Sequence, residues 1–260
     1  MSFPDFSVDD AKTQWKRLCD LLWFHDGLGV WLDVSRMRVN AADFERLEPG
    51  FKTAFEAMQQ LEAGAIANPD EQRQVGHYWL RAPELAPSET VGSHVATEID
   101  QIEQFGKDVL SGAIKAPCGK PFTDVLWIGI GGSGLGPMLM VRALQRPNTG
   151  MPFHFFDNVD PDGMSTVLAG LGDRLKTTLV VTVSKSGGTP EPHIGMEQAR
   201  LRLDAVGGSW PEQAVAITMA DSKLDQQASQ QGWLKRFDMF DWVGGRTSIT
   251  SAVGLLPAVL

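Results

Sequence analysis

Residues 179–191, LVVTVSKSGGTPE, join an apolar strand to a helix through a loop rich in glycine and hydroxyl side chains. Apolar and β-branched residues predict the strand, and Thr189 followed by Pro190 is the order of an N-cap and a first helical residue. Glycines let backbone N–H groups approach an anion, hydroxyls add hydrogen bonds, and a helix N-terminus adds positive potential. The stretch therefore predicts a cradle for a phosphate group.

Short apolar runs bounded by turn residues occur on both sides of this stretch and alternate with segments of helix length. This alternation is typical of a parallel α/β sheet with crossover helices. Ligands of such sheets bind at the carboxyl ends of the strands, which is where the glycine- and serine-rich segments fall. The predicted strands are 125–130, 153–157, 177–183, 214–219 and 237–243.

The first 120 residues predict a mainly helical segment. Residues 112–122 have the Gly, Pro and Lys content of a linker, so we place a domain boundary near residue 120. The domains are then a helical N-terminal segment, 1–120, and a phosphate-binding α/β domain, 121–260. Two apolar sets at helical spacing predict packing faces: Phe51, Ala54, Phe55, Met58 and Leu61, and Val95, Ile99, Ile102, Phe105 and Val109.

Composition excludes several classes of protein. The chain has 260 residues and a formal charge of −9, and an acidic chain does not readily supply the basic face that nucleic acid or an anionic membrane requires. Only two cysteines occur and no Cys/His cluster has metal spacing, which fits a cytoplasmic protein without a metal. The N-terminus is acidic where a secretion signal is basic, and no window approaches the ~20 apolar residues of a membrane span. The chain ends at Leu260 without a helix stop signal, so we expect it to be cut within a fold.

A second glycine-rich loop follows the first predicted strand of the sheet. Residues 129–134 match G-x-G-x-x-G, and Asp157 closes the next strand. On this motif alone three interpretations stay open: a dinucleotide site, another phosphate ligand, or a tight turn that needs small residues. The Ser-Lys-Ser-Gly-Gly-Thr loop two strands later favours another phosphate ligand, because a dinucleotide fold does not need it.

Side chains of the 184–189 loop supply binding rather than chemistry. Ser184, Ser186 and Thr189 offer hydroxyl donors, and each hydrogen bond to an anion contributes about 1.5–3 kcal/mol. Lys185 either neutralises the phosphate or shapes the loop, unless it is an ordinary solvated lysine.

A third segment, 241–248, again follows a predicted strand. Gly244 and Gly245 permit a sharp turn that aims Arg246 at the same edge of the sheet. Because arginine does not give up its proton, Arg246 is suited to stabilise a developing oxyanion rather than to act as a base. The plain alternative is a surface arginine after a turn.

Three motifs in order, IGIGGSGLGP (128–137), SKSGGTPEP (184–192) and WVGGRTSITSAVGLLP (242–257), together with HYWLR (77–81), resemble the glucose-6-phosphate isomerase family. The resemblance covers the first half of that family. It implies a flavodoxin-like sugar isomerase fold, a three-layer α/β/α sandwich with a parallel five-stranded sheet, preceded by a helical segment. It also implies interconversion of glucose 6-phosphate and fructose 6-phosphate in glycolysis and gluconeogenesis, through a cis-enediolate and with no metal or organic cofactor.

The resemblance also implies site residues. It places Ser184, Lys185, Ser186 and Thr189 at the substrate phosphate, Gly132, Ser133 and Gly245 along the sugar, and Arg246 at the transferred oxygen. In the family the glutamate base, the ring-opening histidine and a further lysine lie beyond the point that matches Leu260, and the histidine comes from a partner subunit, which implies a homodimer. Thr247 departs from the family, many of whose members carry an aromatic residue there. Two alternatives remain, a non-catalytic sugar-phosphate-binding module and an NAD(P)-binding oxidoreductase domain.

Overall fold

The computed structural model describes residues 3–7, 10–146 and 149–260. Two compact units divide the chain, Met1–Gln60 and Leu61–Leu260. The α-helices are α1 (Ala11–Leu21), α2 (Ala41–Glu62), α3 (Glu89–Ser111), α4 (Gly132–Leu144), α5 (Pro161–Leu171), α6 (Pro190–Ala205), α7 (Trp210–Gln213), α8 (Lys223–Gln230) and α9 (Ala252–Val259). The strands are β1 (Leu22–His25), β2 (Val30–Asp33), β3 (Ile66–Asn68), β4 (Arg73–Gln74), β5 (Asp124–Ile128), β6 (Phe153–Phe156), β7 (Thr178–Val183), β8 (Ala214–Thr218) and β9 (Lys235–Asp238). No described helix is both long enough and apolar enough to cross a bilayer.

The N-terminal unit holds α1, the antiparallel pair of β1 and β2, and most of α2. Asp10 caps α1 by accepting the backbone N–H of Thr13 at 3.0 Å. The predicted packing face of α2 is wrong: no residue of this helix is buried, and Phe55 is 68% exposed. Helical spacing identifies an apolar stripe, but nothing in the described part of this unit covers it.

A five-stranded parallel sheet forms the centre of the second unit, in the order β6-β5-β7-β8-β9. The first four predicted strands are confirmed. The fifth, predicted at 237–243, is wrong in position because β9 ends at Asp238. Phe240 and Trp242, which suggested a longer strand, stack on each other and belong to a separate cluster with Trp79.

Side chains alternate between the two faces of the sheet, and helices cover both faces. Val125 and Trp127 of β5 pack with α3 and α9, whereas Leu126 and Ile128 pack with α5, α6 and α8. Both faces of β5 and of β7 are buried, which is why the two strands are nearly continuous apolar runs. This is the predicted three-layer α/β/α sandwich.

Helix α3 belongs to the same core. Its predicted packing face is confirmed, because Val95, Ile102, Phe105 and Val109 are each at most 5% exposed and most of them contact the sheet cluster. The antiparallel pair of β3 and β4 precedes α3 in this unit. The domain boundary near residue 120 stays a prediction.

Strand order fixes where a ligand binds in such a sheet. Counted from β5, the order is 2-1-3-4-5, which is the flavodoxin-like order. The chain reverses its direction across the sheet between β5 and β7, so their carboxyl ends flank the switch-point crevice. The segments after Ile128 and after Val183 therefore border the position where ligands bind in this fold class.

Candidate functional site

Three loops gather at the carboxyl edge of the sheet. We name them the glycine loop (129–133, after β5), the hydroxyl loop (184–189, after β7) and the arginine loop (241–247, after β9). The first two follow adjacent strands, since Ile128 pairs with Thr182. The arginine loop begins beyond Asp238, the last residue of β9, and the chain turns there towards the other two loops.

The glycine loop is held by a hydrogen bond from β5 and by a contact with the arginine loop. Trp127, fully buried in β5, donates its indole N–H to the Ser133 carbonyl at 2.8 Å. A Cβ atom on Gly132 would lie 1.7 Å from the carbonyl oxygen of Gly245. The glycine loop and the arginine loop are therefore in direct backbone contact, which requires glycine at position 132.

The hydroxyl loop lies beside two helix N-termini. Gly187 has φ +66°, and a Cβ there would lie 2.3 Å from the backbone nitrogen of Leu224 in the first turn of α8. Thr189 is the N-cap of α6 with Pro190 at the first helical position, as predicted. Backbone N–H groups at helix starts carry partial positive charge, so this loop provides a favourable setting for an anion.

Hydroxyl groups in and below this loop have few hydrogen-bond partners among the described residues. Ser184 is 6% exposed and its Oγ has no hydrogen-bond partner, as is also true of Thr182 Oγ1 one pleat earlier. Thr189 makes no side-chain capping hydrogen bond. The exposed Ser186 accepts only a long bond, 3.3 Å, from the Gly188 N–H. These hydroxyls have unused hydrogen-bonding capacity.

Lys185 points at the arginine loop. Its Nζ donates to the carbonyl oxygens of Asp241 at 2.6 Å and Val243 at 2.7 Å. Burial lowers the pKa of Lys185, and the nearby positive charge of Arg73 lowers it further. The interpretation as a solvated lysine is wrong, and the contacts are those of a residue that shapes the loops; a contact with phosphate stays a prediction.

Arg246 is exposed, and its guanidinium forms no hydrogen bond or ion pair within the described part of the chain. Gly245, just before it, begins a 3₁₀ helix and accepts the Ser248 hydroxyl at 2.7 Å. An arginine with a fixed backbone and a free guanidinium can bind an anionic group of a ligand.

Sequence reasoning missed two supports of the site. Thr218 donates its hydroxyl to the Ser184 carbonyl at 2.6 Å and bonds to Ser222 Oγ, which caps α8. The Ser222-x-x-Asp225 spacing is a capping-box-like signal that could have located this helix start. Trp79, within the 77–81 motif, lies 5.2 Å from the Trp242 ring and so supports the base of the arginine loop.

A metal centre requires several suitable side chains close together. Among residues 3–7, 10–146 and 149–260, no group of three or more His, Cys, Asp or Glu side chains is placed to hold a metal ion.

Fold and site together define a class: three-layer α/β proteins of flavodoxin-like strand order whose polar loops gather at the switch point. The sequence model of phosphoglucose isomerase matches residues 33–260, so the chain belongs to the phosphoglucose isomerase family.

Individual proteins similar to this chain carry the name of the same family. The glucose-6-phosphate isomerase of Parasynechococcus marenigrum (strain WH8102) is 74% identical over all 260 residues, which cover 47% of that protein. That of Prochlorococcus marinus (strain MIT 9313) is 72% identical, with 47% of its length covered. A crystal structure of a glucose-6-phosphate isomerase from Chlamydia trachomatis D/UW-3/Cx has a TM-score of 0.79 at 27% identity, over 98% of this chain and 48% of that one. The chain thus spans about half the length of the curated relatives it matches.

Proposed function

We propose that this chain contributes the phosphate-binding and oxyanion-stabilising part of a glucose-6-phosphate isomerase, which interconverts glucose 6-phosphate and fructose 6-phosphate. The observation that carries the proposal is the convergence of the three loops. Gly132 meets Gly245 by backbone contact, and Lys185 bonds to two carbonyls of the arginine loop. One small ligand at the switch point can therefore touch all three loops, and the family membership supports a sugar phosphate as that ligand.

The phosphate binds the hydroxyl loop. Ser186 and Thr189 lie in the loop between β7 and α6, and the N-terminus of α6 supports a negative charge there. Ser184 begins the same loop, and its Oγ has no hydrogen-bond partner within the described part of the chain. Charge-assisted hydrogen bonds of about 1.5–3 kcal/mol each would make this group the main source of affinity.

The sugar extends from the hydroxyl loop towards Gly132, Ser133 and Gly245, which brings its C1–C2 end to Arg246. During isomerisation a carboxylate removes the proton from C2 and returns it to C1, and negative charge develops on the oxygens of the enediolate. Arg246 stabilises that charge, because its free guanidinium donates hydrogen bonds and keeps its proton. By the family resemblance, the base, the ring-opening histidine and a further lysine come from the rest of the protein and its partner subunit.

A dinucleotide is the less favourable ligand for the glycine loop. In a dinucleotide site the second glycine of the motif lets the pyrophosphate approach the backbone. Here the second glycine is Gly131, which has open space beside it, but its neighbour Gly132 lies against the carbonyl oxygen of Gly245. That partially negative oxygen, next to the position of a pyrophosphate, disfavours a dinucleotide at this loop.

The proposed assembly is a homodimer in the cytoplasm, without a membrane or nucleic-acid partner. The charge of −9 supports the last point, since like charges repel phosphate backbones and anionic lipids.

Ligand specificity tests the proposal. Calorimetric titration of the 260-residue chain should detect binding of glucose 6-phosphate and inorganic phosphate, and no binding of glucose or NAD at the same concentrations. A polypeptide of the relatives' full length that carries residues 1–260 should interconvert the two hexose phosphates. Binding of NAD with indifference to glucose 6-phosphate would reject the proposal, and binding without turnover in the full-length polypeptide would leave a sugar-phosphate-binding module.

A further inference from the structure

The hydroxyl loop, the glycine loop and the segment that begins at Gly76 hold the arginine loop in place. Lys185 donates to the carbonyl oxygens of Asp241 and Val243 at 2.6 and 2.7 Å. The carbonyl between them, on Trp242, accepts the Gly76 N–H at 3.1 Å. The carbonyl oxygens of three consecutive residues just before the Gly-Gly pair therefore all accept hydrogen bonds. Lys185 donates two of these three bonds.

The chemistry of lysine fits this task. An ammonium is a compact charge with three donors, and here two of them are committed at short distances. Lys185 is also partly buried beside Arg73, and both the desolvation and the like charge disfavour its ionised form. The two carbonyl oxygens compensate for the lost water, so at most one donor remains for a ligand.

We propose that Lys185 is a positioning residue for Arg246, holding the arginine loop against the hydroxyl loop instead of serving as a phosphate ligand. Only two residues, both glycines, lie between Val243 and Arg246, and on the other side Gly245 packs on the backbone of Gly132. The direction of the guanidinium therefore depends on contacts made from both loops. This inference rests on the proposed function, because it assigns Lys185 a part in the isomerase site.

Kinetics separate the two roles of Lys185. In a polypeptide of the relatives' full length, Lys185→Met should lower kcat at least about tenfold while KM for glucose 6-phosphate stays within about threefold. In the Arg246→Ala background the same change should lower kcat by no more than about twofold, since residues that act as a unit are not additive. The matched control is Lys176→Met, which removes the same charge at the opposite end of β7. A raised KM with an unchanged kcat would overturn the positioning role.

Hydrogen exchange tests the same contact without requiring turnover. In the 260-residue chain the N–H groups of Val243 and Thr247 donate to Phe240 and Gly244 carbonyls, both at 3.1 Å. Lys185→Met should speed exchange at both amides at least about tenfold, because local opening becomes easier, while Lys176→Met leaves them unchanged. Unchanged exchange in Lys185→Met rejects the inference even if the protein is an isomerase. Absence of turnover in the parent polypeptide rejects only the proposed function. If Lys185→Met does not fold, Lys185→Gln takes its place in both experiments.

Discussion

Both edges of the sheet carry polar side chains, and a buried carboxylate at one edge differs from the loop side chains at the other in how far its hydrogen bonds are satisfied. At the amino edge, Asp124 is 1% exposed, and its Oδ1 lies 2.9 Å from His154 Nε2 and 2.5 Å from Arg174 Nη1. Its Oδ2 accepts the Thr123 hydroxyl at 2.9 Å. This carboxylate needs nothing from a ligand.

The carboxyl edge has the opposite character. Thr182 Oγ1 and Ser184 Oγ are buried without partners, and the Arg246 guanidinium is unpaired within the described part of the chain. Buried polar groups are usually satisfied, so unsatisfied ones need an explanation. The comparison shows that saturation of hydrogen bonds, rather than polarity, distinguishes the Asp124 cluster from Ser184 and Arg246.

The largest effect on stability is expected at the amino edge. Asp124→Asn removes the charge of a buried ion pair and should lower the free energy of unfolding by about 3 kcal/mol, at the low end for such pairs because Arg174 is half exposed. Urea denaturation of the chain measures it. Asp173→Asn, whose side chain is 91% exposed, is the control and should stay within about 0.5 kcal/mol. A loss as small as that of the control would mean that the amino edge is not held by this carboxylate.

Arg246 should show the reverse pattern, a large effect on catalysis and a small one on folding. Arg246→Ala in the full-length polypeptide should raise the barrier by roughly 2.7–4 kcal/mol, seen in kcat, as for loss of an oxyanion donor. The melting temperature should hardly change, because the side chain has no internal partner to lose. Arg142→Ala, at an exposed position of α4, is the matched control for removing an arginine. An unchanged kcat in Arg246→Ala would remove its catalytic role.

Two N-caps allow the same contrast at the carboxyl edge. Thr189→Ala should weaken binding of glucose 6-phosphate by about 1.5–3 kcal/mol, because a hydrogen bond to the phosphate is lost. It should cost little stability, since Thr189 makes no capping bond. Calorimetric titration and urea denaturation measure the two effects.

Ser222→Ala is the comparison for Thr189→Ala. Ser222 caps α8 through the Asp225 N–H at 3.1 Å, so its loss should cost about 1 kcal/mol of stability. Equal stability losses in the two variants would contradict the assignment of the free hydroxyl to a ligand.

A pH dependence of stability is expected at the end of β9. Burial raises the pKa of Glu98 to about 7, although the Asp238 N–H, which donates to its Oε1 at 2.7 Å, favours the charged form. Because the folded pKa lies above the unfolded value, the stabilisation is complete below pH ~4.5 and is lost as the pH rises through ~7. The free energy of unfolding should therefore fall by about 2–3 kcal/mol between pH 5 and pH 8.

The glutamine variant isolates this contribution. Glu98→Gln keeps an acceptor for the Asp238 N–H but cannot ionise, so the difference between the two pH profiles reports Glu98 alone. Parallel profiles for the parent and the variant would show that Glu98 does not titrate in this range.

The sequence was sufficient for the sheet and for the position of the three loops. Buried parallel strands such as β5 and β7 are continuous apolar runs, and glycine-rich turns mark their carboxyl ends. The fifth strand was misplaced because Phe240 and Trp242 are apolar for another reason, their stacking near Trp79. Apolar composition alone does not distinguish a strand from an aromatic cluster.

Contacts across long stretches of sequence could not be predicted. Lys185 and the Asp241 carbonyl are 56 residues apart, and no local pattern indicates that an ammonium will bond to backbone rather than to phosphate. The same holds for Asp124 and Arg174, 50 residues apart, although both are ordinary charged residues in the sequence. Motifs locate the loops, whereas the partners of each side chain depend on the fold.

The contact between Gly132 and the Gly245 carbonyl constrains any redesign of these two loops. Since a methyl group at position 132 would collide with that oxygen, a variant with a side chain there must move one loop away from the other. Attempts to change what these loops bind should therefore exchange the two segments as a matched pair.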